Sequence, residues 1–166
     1  MLSSPHAFLF TCSFDSSFLP LDWLRSYITP LFKKGSRNDP DNYRPIALTA
    51  TMCKLMETVI KDQLLGFLLR KGIINKNQHG FISNHSTFSN LLECTHDWLV
   101  TLNLSHTTDI IYIDFSRAFD SIVYSKLLIK LESYGIAGKL LYWISSFVND
   151  RYHAVCGHWK LFFISC

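Results

Sequence analysis

The stretch Ile110-Ile111-Tyr112-Ile113-Asp114-Phe115-Ser116-Arg117-Ala118-Phe119-Asp120 decides how this chain is read. Its first four residues are β-branched or aromatic and apolar on both faces of a two-residue repeat, which predicts a buried strand in the middle of a covered sheet. The strand ends in a carboxylate. At the tip of a buried strand Asp114 loses hydration unless a cation or several donors face it, so it is a candidate ligand for a hard, oxygen-seeking metal ion. The competing reading is a helix N-cap, because Asp114 and Ser116 both precede a possible helical turn.

Upstream of that stretch, Ile28-Thr29-Pro30-Leu31-Phe32 runs into Lys33-Lys34-Gly35 and a polar turn through Asn38-Asp39-Pro40-Asp41-Asn42, and Tyr43-Arg44-Pro45-Ile46-Ala47-Leu48 returns. The pattern predicts a hairpin with a basic tip, and Pro45 confines the second strand to an edge or a distorted position. The basic residues read in two ways. Arg44 offers a planar donor fork for phosphate oxygens and Lys33 or Lys34 a mobile point charge, or else the tip is a solvated turn with Arg44 paired to Asp39 or Asp41.

Between hairpin and central stretch, Met52, Leu55, Met56, Val59, Ile60, Leu64, Phe67 and Leu68 recur at helical spacing and Gly72 is a natural stop. Ser86 is a good N-cap for a second long helix, with Leu91, Leu92, Thr95, Trp98, Leu99 and Leu102 on one face. Asn103 to Thr108 then forms a polar turn into the strand. Residues 7–28 read as two short helical pieces broken at Pro20. Beyond the central stretch, helices are expected over Tyr124–Tyr134 and Ala137–Asn149, a strand over Tyr152–Cys156, a turn at Gly157-His158, and a last apolar run at Leu161–Ile164.

Four segments in order, Pro30-Leu31-Phe32-Lys33-Lys34-Gly35, Asn42-Tyr43-Arg44-Pro45-Ile46, Gln78-His79-Gly80-Phe81 with Ser86-Thr87, and Tyr112 to Asp120, resemble the reverse transcriptases of non-LTR (LINE-like, Jockey-like) retrotransposons. The similarity covers about residues 7 to 160. The resemblance implies an α+β fold: a partial polymerase right hand, with a fingers hairpin and helices plus an incomplete palm sheet. Residues 1–108 would be fingers and lead-in helices, and 109–166 a partial palm. It implies RNA-directed DNA polymerase chemistry, with an RNA template, a DNA primer and dNTP as partners and Mg²⁺ as cofactor. In that chemistry Asp114 bridges two ions, the Phe115 carbonyl adds a ligand, and Phe119 is a steric gate against a 2′-hydroxyl. Asp120 matches the motif and serves structure. Lys33 or Lys34, with Arg44, would meet the triphosphate of the incoming nucleotide, and Gln78, Gly80 and Ser86 the nucleic acid.

The chain also departs from the family pattern. Ile82 and His85 stand where arginines that approach the template are usual, which weakens template binding. Neither the Gly-Val-Pro-Gln-Gly-Ser-like loop nor the Tyr/Phe-x-Asp-Asp hairpin with the remaining metal-binding carboxylates occurs, and the match ends at roughly Lys160. The expectation is therefore a polypeptide truncated before the second catalytic motif and inactive alone. The alternative is a non-catalytic nucleic-acid-binding or interaction remnant of a mobile element.

Composition fits a folded, intracellular protein. With 48% hydrophobic and 17% charged residues, 166 residues suffice for a sizeable core. Net charge is +3, but residues 1–80 hold ten Lys/Arg against six Asp/Glu and 81–166 six against seven, so a polyanion is expected on the first half. Five scattered cysteines without a C-x-x-C pair fit free thiols in a reducing compartment. Cys94-x-His96 and Cys156-x-His158 lack zinc-finger spacing, and buried or incidental residues are the better reading. No membrane-spanning run or secretory signal is evident.

Overall fold

The computed structural model describes residues 4–116, 118–149, 151–156 and 161–165. Its helices are α1 (Ser4–Ser16), α2 (Leu21–Leu24), α3 (Thr51–Arg70), α4 (Thr87–Asn103), α5 (Tyr124–Ser133) and α6 (Lys139–Asn149). Its strands are β1 (Arg25–Phe32), β2 (Tyr43–Thr49), β3 (Tyr152–Cys156) and β4 (Leu161–Ser165), so the expected α+β class holds. The chain divides into two compact units, residues 1–63 with 122–166 and residues 64–121, with the boundary inside α3. The turn expected at Gly157-His158 lies outside the described residues.

In the first unit the strands form one sheet in the order β2-β1-β3-β4. β1 pairs antiparallel with β2 on one side and parallel with β3 on the other. β2 lies at the edge, where Pro45 is tolerated, and it faces Pro30 directly across the ladder. α1 ends at Ser16 and Pro20 takes the N-cap position of α2, but the second helical piece expected up to residue 28 gives way to β1 at Arg25, where pairing with β2 and β3 wins. Trp143 of α6 is 2% exposed, stacks on Phe147 and donates its indole N–H to Ser13 Oγ of α1 at 3.2 Å. Ser13 Oγ in turn donates to the Phe18 carbonyl at 2.8 Å, and Phe10 meets Trp23 edge to face. Ser26 is buried on β1 and hydrogen-bonds His153 of β3, its register partner.

The tip joining β1 to β2 is tied down by short-range bonds. Lys33 N–H donates to the Asn42 carbonyl at 2.8 Å, and Asn42 Nδ2 donates to the Ser36 carbonyl at 2.9 Å. Asp39 accepts from Asp41 N–H and Asn42 Nδ2, opening a 3-10 turn over Pro40–Asn42. Gly35 has φ +87°, and a Cβ there would sit 2.7 Å from Asn42 Nδ2, so only glycine fits both the backbone and the space.

The second unit is built differently. Among the described residues of 64–121 only His79 is buried, and every apolar side chain keeps some exposure. α3 ends in a Schellman motif, with Gly72 at φ +65°, Gly72 N–H on the Leu69 carbonyl and Ile73 N–H on that of Leu68. Ser86 caps α4 in a reciprocal capping box with Ser89.

One expectation is corrected in this unit. Ile110–Ile113, read from sequence as a buried central strand, is neither strand nor helix, and Ile111 and Tyr112 are each 83% exposed. A strand exists through its ladder, and among the described residues this segment pairs with none of the four strands. The apolar α4 face expected from spacing is present, but Leu91, Leu92, Leu99 and Leu102 are exposed on it and no residue of α4 is buried. Helical spacing identifies an amphipathic face but does not supply what covers it. Among the described residues no helix is long and apolar enough to cross a membrane.

Cys53 of α3 is fully buried and donates to Glu57 Oε1 at 3.2 Å. Burial foremost, then the Glu57 hydrogen bond and charge, push its thiol from 9.0 up to about 12. A thiol held neutral in this way is inert. In peptide mapping after brief alkylation at neutral pH, exposed Cys12 is expected to be labelled and Cys53 to react only on unfolding. Above pH 9.0 the unfolded chain sheds this proton while the folded chain keeps it, so the stability due to this thiol falls as pH rises toward 12. Trp143→Phe, which removes the bond to Ser13 and part of the ring, is expected to lower unfolding free energy by about 1–3 kcal/mol in urea titration. Gly35→Ala is expected to cost about 1 kcal/mol or more by the same measurement, from the φ +87° backbone and the crowding at Asn42.

Candidate functional site

The basic hairpin of the first unit carries Lys33, Lys34 and Arg44, all exposed. Lys33 extends β1 into the turn, and Arg44 faces Leu31 across the β1–β2 ladder. Asp39 accepts one hydrogen bond on each carboxylate oxygen from within the turn, from Asp41 N–H and Asn42 Nδ2. Side chains alternate across the sheet, which puts Arg44 on one face with Leu31 and Ile46. The other face holds a cavity of about 580 Å³ lined by Ile28, Pro30, Tyr43, Pro45 and Val155, with Arg37 and Asn38 from the turn. Arg37 lies over the Phe32 ring, 5.2 Å from its centre, and its carbonyl accepts from the Tyr43 hydroxyl at 2.9 Å. The sequence reading passed over Arg37, because nothing in the spacing reveals that the turn folds back onto Phe32.

In the second unit Gln78, Gly80 and Ser86 lie on the loop between α3 and α4. Gln78 Nε2 donates to the Gly80 carbonyl at 3.0 Å, and Ser86 is the α4 cap. Phe81 and Asn84 both take φ +64°, a left-handed conformation costing a non-glycine residue roughly 1 kcal/mol each. The Phe81 ring is 85% exposed and meets Phe119, 71% exposed, edge to face at 5.9 Å. The loop is held by His79, whose Nδ1 lies 2.9 Å from Ser89 Oγ and whose Nε2 lies 3.1 Å from Glu93 Oε2. In the sequence His79 stands only as part of the Gln78-to-Phe81 motif, and no pattern marks it as the one buried residue among those described in its unit.

Asp114 and Phe115 are exposed and outside regular structure, and Phe119 and Asp120 lie in the turn that follows. Asp114 is therefore not the tip of a strand, nor the N-cap of one of the described helices, since the next one begins at Tyr124. Among the described residues no three or more His, Cys, Asp or Glu gather to hold a metal ion. One carboxylate and a neighbouring carbonyl are too few for the near-octahedral oxygen shell that Mg²⁺ demands, so these residues do not by themselves fit it. Of the zinc candidates, His158 lies outside the described residues.

Comparison with known proteins bears on the whole of this arrangement. The family model described as reverse transcriptase (RNA-dependent DNA polymerase) matches residues 32–164. The chain is 26% identical over 152 residues to the probable RNA-directed DNA polymerase from transposon BS of Drosophila melanogaster, covering 87% of this chain and 16% of that protein. It is 27% identical over 146 residues to the RNA-directed DNA polymerase from mobile element jockey of the same species, with the same two coverages. A third relative, the probable polymerase from transposon X-element of that species, is 25% identical over 116 residues, 69% of this chain and 13% of its own length. The chain thus spans about a sixth of the length of the curated relatives it matches. Since the matched span contains every motif from Lys33 to Phe119, the chain belongs to the reverse transcriptase family, of the kind found in non-LTR retrotransposons.

Proposed function

We propose that the chain is the fingers and first palm portion of a non-LTR retrotransposon RNA-directed DNA polymerase, and that it does not polymerise alone. The functional division is by role: fingers and lead-in over 1–108, partial palm over 109–166. The observation that carries the reading is the family match over residues 32–164, which includes every residue assigned here. Lys33, Lys34 and Arg44 meet the triphosphate of the incoming dNTP, supported by an exposed basic tip whose backbone is fixed by its own hydrogen bonds. Gln78, Gly80 and Ser86 lie along the RNA template and DNA primer. Phe119 excludes a 2′-hydroxyl by bulk.

The family works with divalent metal ions. Mg²⁺ is the ion proposed, with Asp114 and the Phe115 carbonyl as its ligands in a complete polymerase, where it would activate the primer hydroxyl and support the leaving pyrophosphate. Among the described residues the gathered donors number too few for that chemistry, and the chain is proposed inactive by itself on that ground. A non-catalytic nucleic-acid-binding role is the second reading, favoured by the same exposed hairpin, because phosphate contacts need no metal cluster.

The purified chain is expected not to extend oligo(dT) on poly(rA) with Mg²⁺, and extension above a no-protein control refutes the inactivity. It is expected to bind primer–template with a dissociation constant that rises with salt, and Lys33→Ala with Lys34→Ala to reduce the log–log salt slope by roughly one to two. Salt-independent or absent binding removes the second reading.

A further inference from the structure

We propose that His79 is a positioning residue that holds the 77–86 loop against α4 so that the Phe81 ring stacks on an unpaired base of single-stranded RNA. The proposal rests on the nucleic-acid reading given above and names a residue and a contact which that reading does not include.

The geometry begins with burial. His79 is 7% exposed in a unit where no other described residue is buried, so it stands where an apolar anchor would be expected. Its two nitrogens reach Ser89 Oγ and Glu93 Oε2, one helical turn apart on α4. The Glu93 carboxylate accepts, so Nε2 carries a proton. In the neutral ring Nδ1 then accepts from Ser89 O–H at 2.9 Å, and because Ser89 Oγ itself accepts from Ser86 N–H at 2.9 Å, this bond joins the network that starts the helix. The far end of the loop returns to the same point, since the His85 ring sits edge on to His79 at 5.1 Å. A loop tied at both ends can keep Phe81 in its left-handed conformation with the ring facing outward.

What the loop presents is aromatic and uncharged. Residues 77–86 contain no Lys, Arg, Asp or Glu, and the Phe81 and Phe119 rings lie together and mostly exposed. Such a surface cannot attract phosphates by charge, whereas every base offers a face for stacking. The loop's share of binding is therefore insensitive to salt, unlike that of the basic hairpin.

The test is fluorescence anisotropy with a labelled oligo(rU) at several salt concentrations, combined with hydrogen exchange of residues 77–86. Phe81→Ala is expected to weaken binding roughly five- to fiftyfold with an unchanged salt slope. His79→Ala is expected to do the same and to speed exchange across the loop. His79→Gln, which can still donate to Glu93, recovers part of both. Glu93→Ala changes a largely exposed side chain, and its expected faster loop exchange and weaker binding keep the proposal testable if His79→Ala does not fold. Unchanged loop exchange in the His79 and Glu93 variants overturns the clamp. Faster exchange with unchanged affinity makes His79 structural only and overturns the positioning role. A Phe81→Ala effect that appears as a lower salt slope overturns stacking. Wild-type protein that fails to bind oligo(rU) at low salt overturns both this proposal and the nucleic-acid reading. That outcome is distinguishable because wild type itself is then silent.

Discussion

Backbone pairing of β1 along both its edges is the constraint on which the first unit depends. Arg25–Phe32 holds the hairpin strand β2 on one side and β3, more than a hundred residues later in sequence, on the other. That single strand fixes the basic tip to the rest of the unit and brings Ser26 against His153. The helices then fill the space beside it with Trp143, Trp23, Met56 and Cys53. Long-range closure of this sort is entropically costly until the sheet forms, and the apolar burial beside it offsets that cost.

The second unit obeys another logic. Having almost no apolar burial of its own, residues 64–121 derive their local order from polar end-stops: a Schellman turn after α3, a capping box before α4, and a histidine bridging loop to helix. Individually such contacts contribute about a kilocalorie per mole each, far less than a packed core. The family's motif residues Gln78, Gly80, Phe81, Asp114 and Phe119 lie in this polar, loosely buried part, while the hairpin lysines belong to the well-packed part. Loops tolerate chemistry that a core does not, because an exposed carboxylate or strained aromatic costs less there.

Much of the fold was legible in the sequence because its signals are local. Pro20, Gly72, Ser86 and Pro45 announce breaks, caps and an edge by conformational preference alone, and the apolar spacing from Met52 to Leu68 leaves little but a helix. The central stretch misled for a physical reason. Ile110-Ile111-Tyr112-Ile113 has every local property of a covered strand, but a strand is a relation between two segments, and composition cannot say whether the other is present. The leucine face of α4 is likewise legible from spacing, but what would cover it is not. His79 was illegible because its burial follows from where Ser89 and Glu93 point, and Arg37 because its ring contact depends on a turn folding back. The motif residues are legible only through resemblance to a family, and the match over 32–164 bears out the family itself.

The bare apolar ribbon at Ile110–Ile113 has one more consequence. Uncharged segments with exposed β-branched side chains, such as this one, can recruit like segments from neighbouring molecules into the intermolecular ladders that begin aggregates. Chaperone holdases bind the same kind of surface. The ribbon lies in sequence between the two halves of the sheet, residues 25–49 and 152–165, and is the exposed apolar stretch most disposed to such pairing.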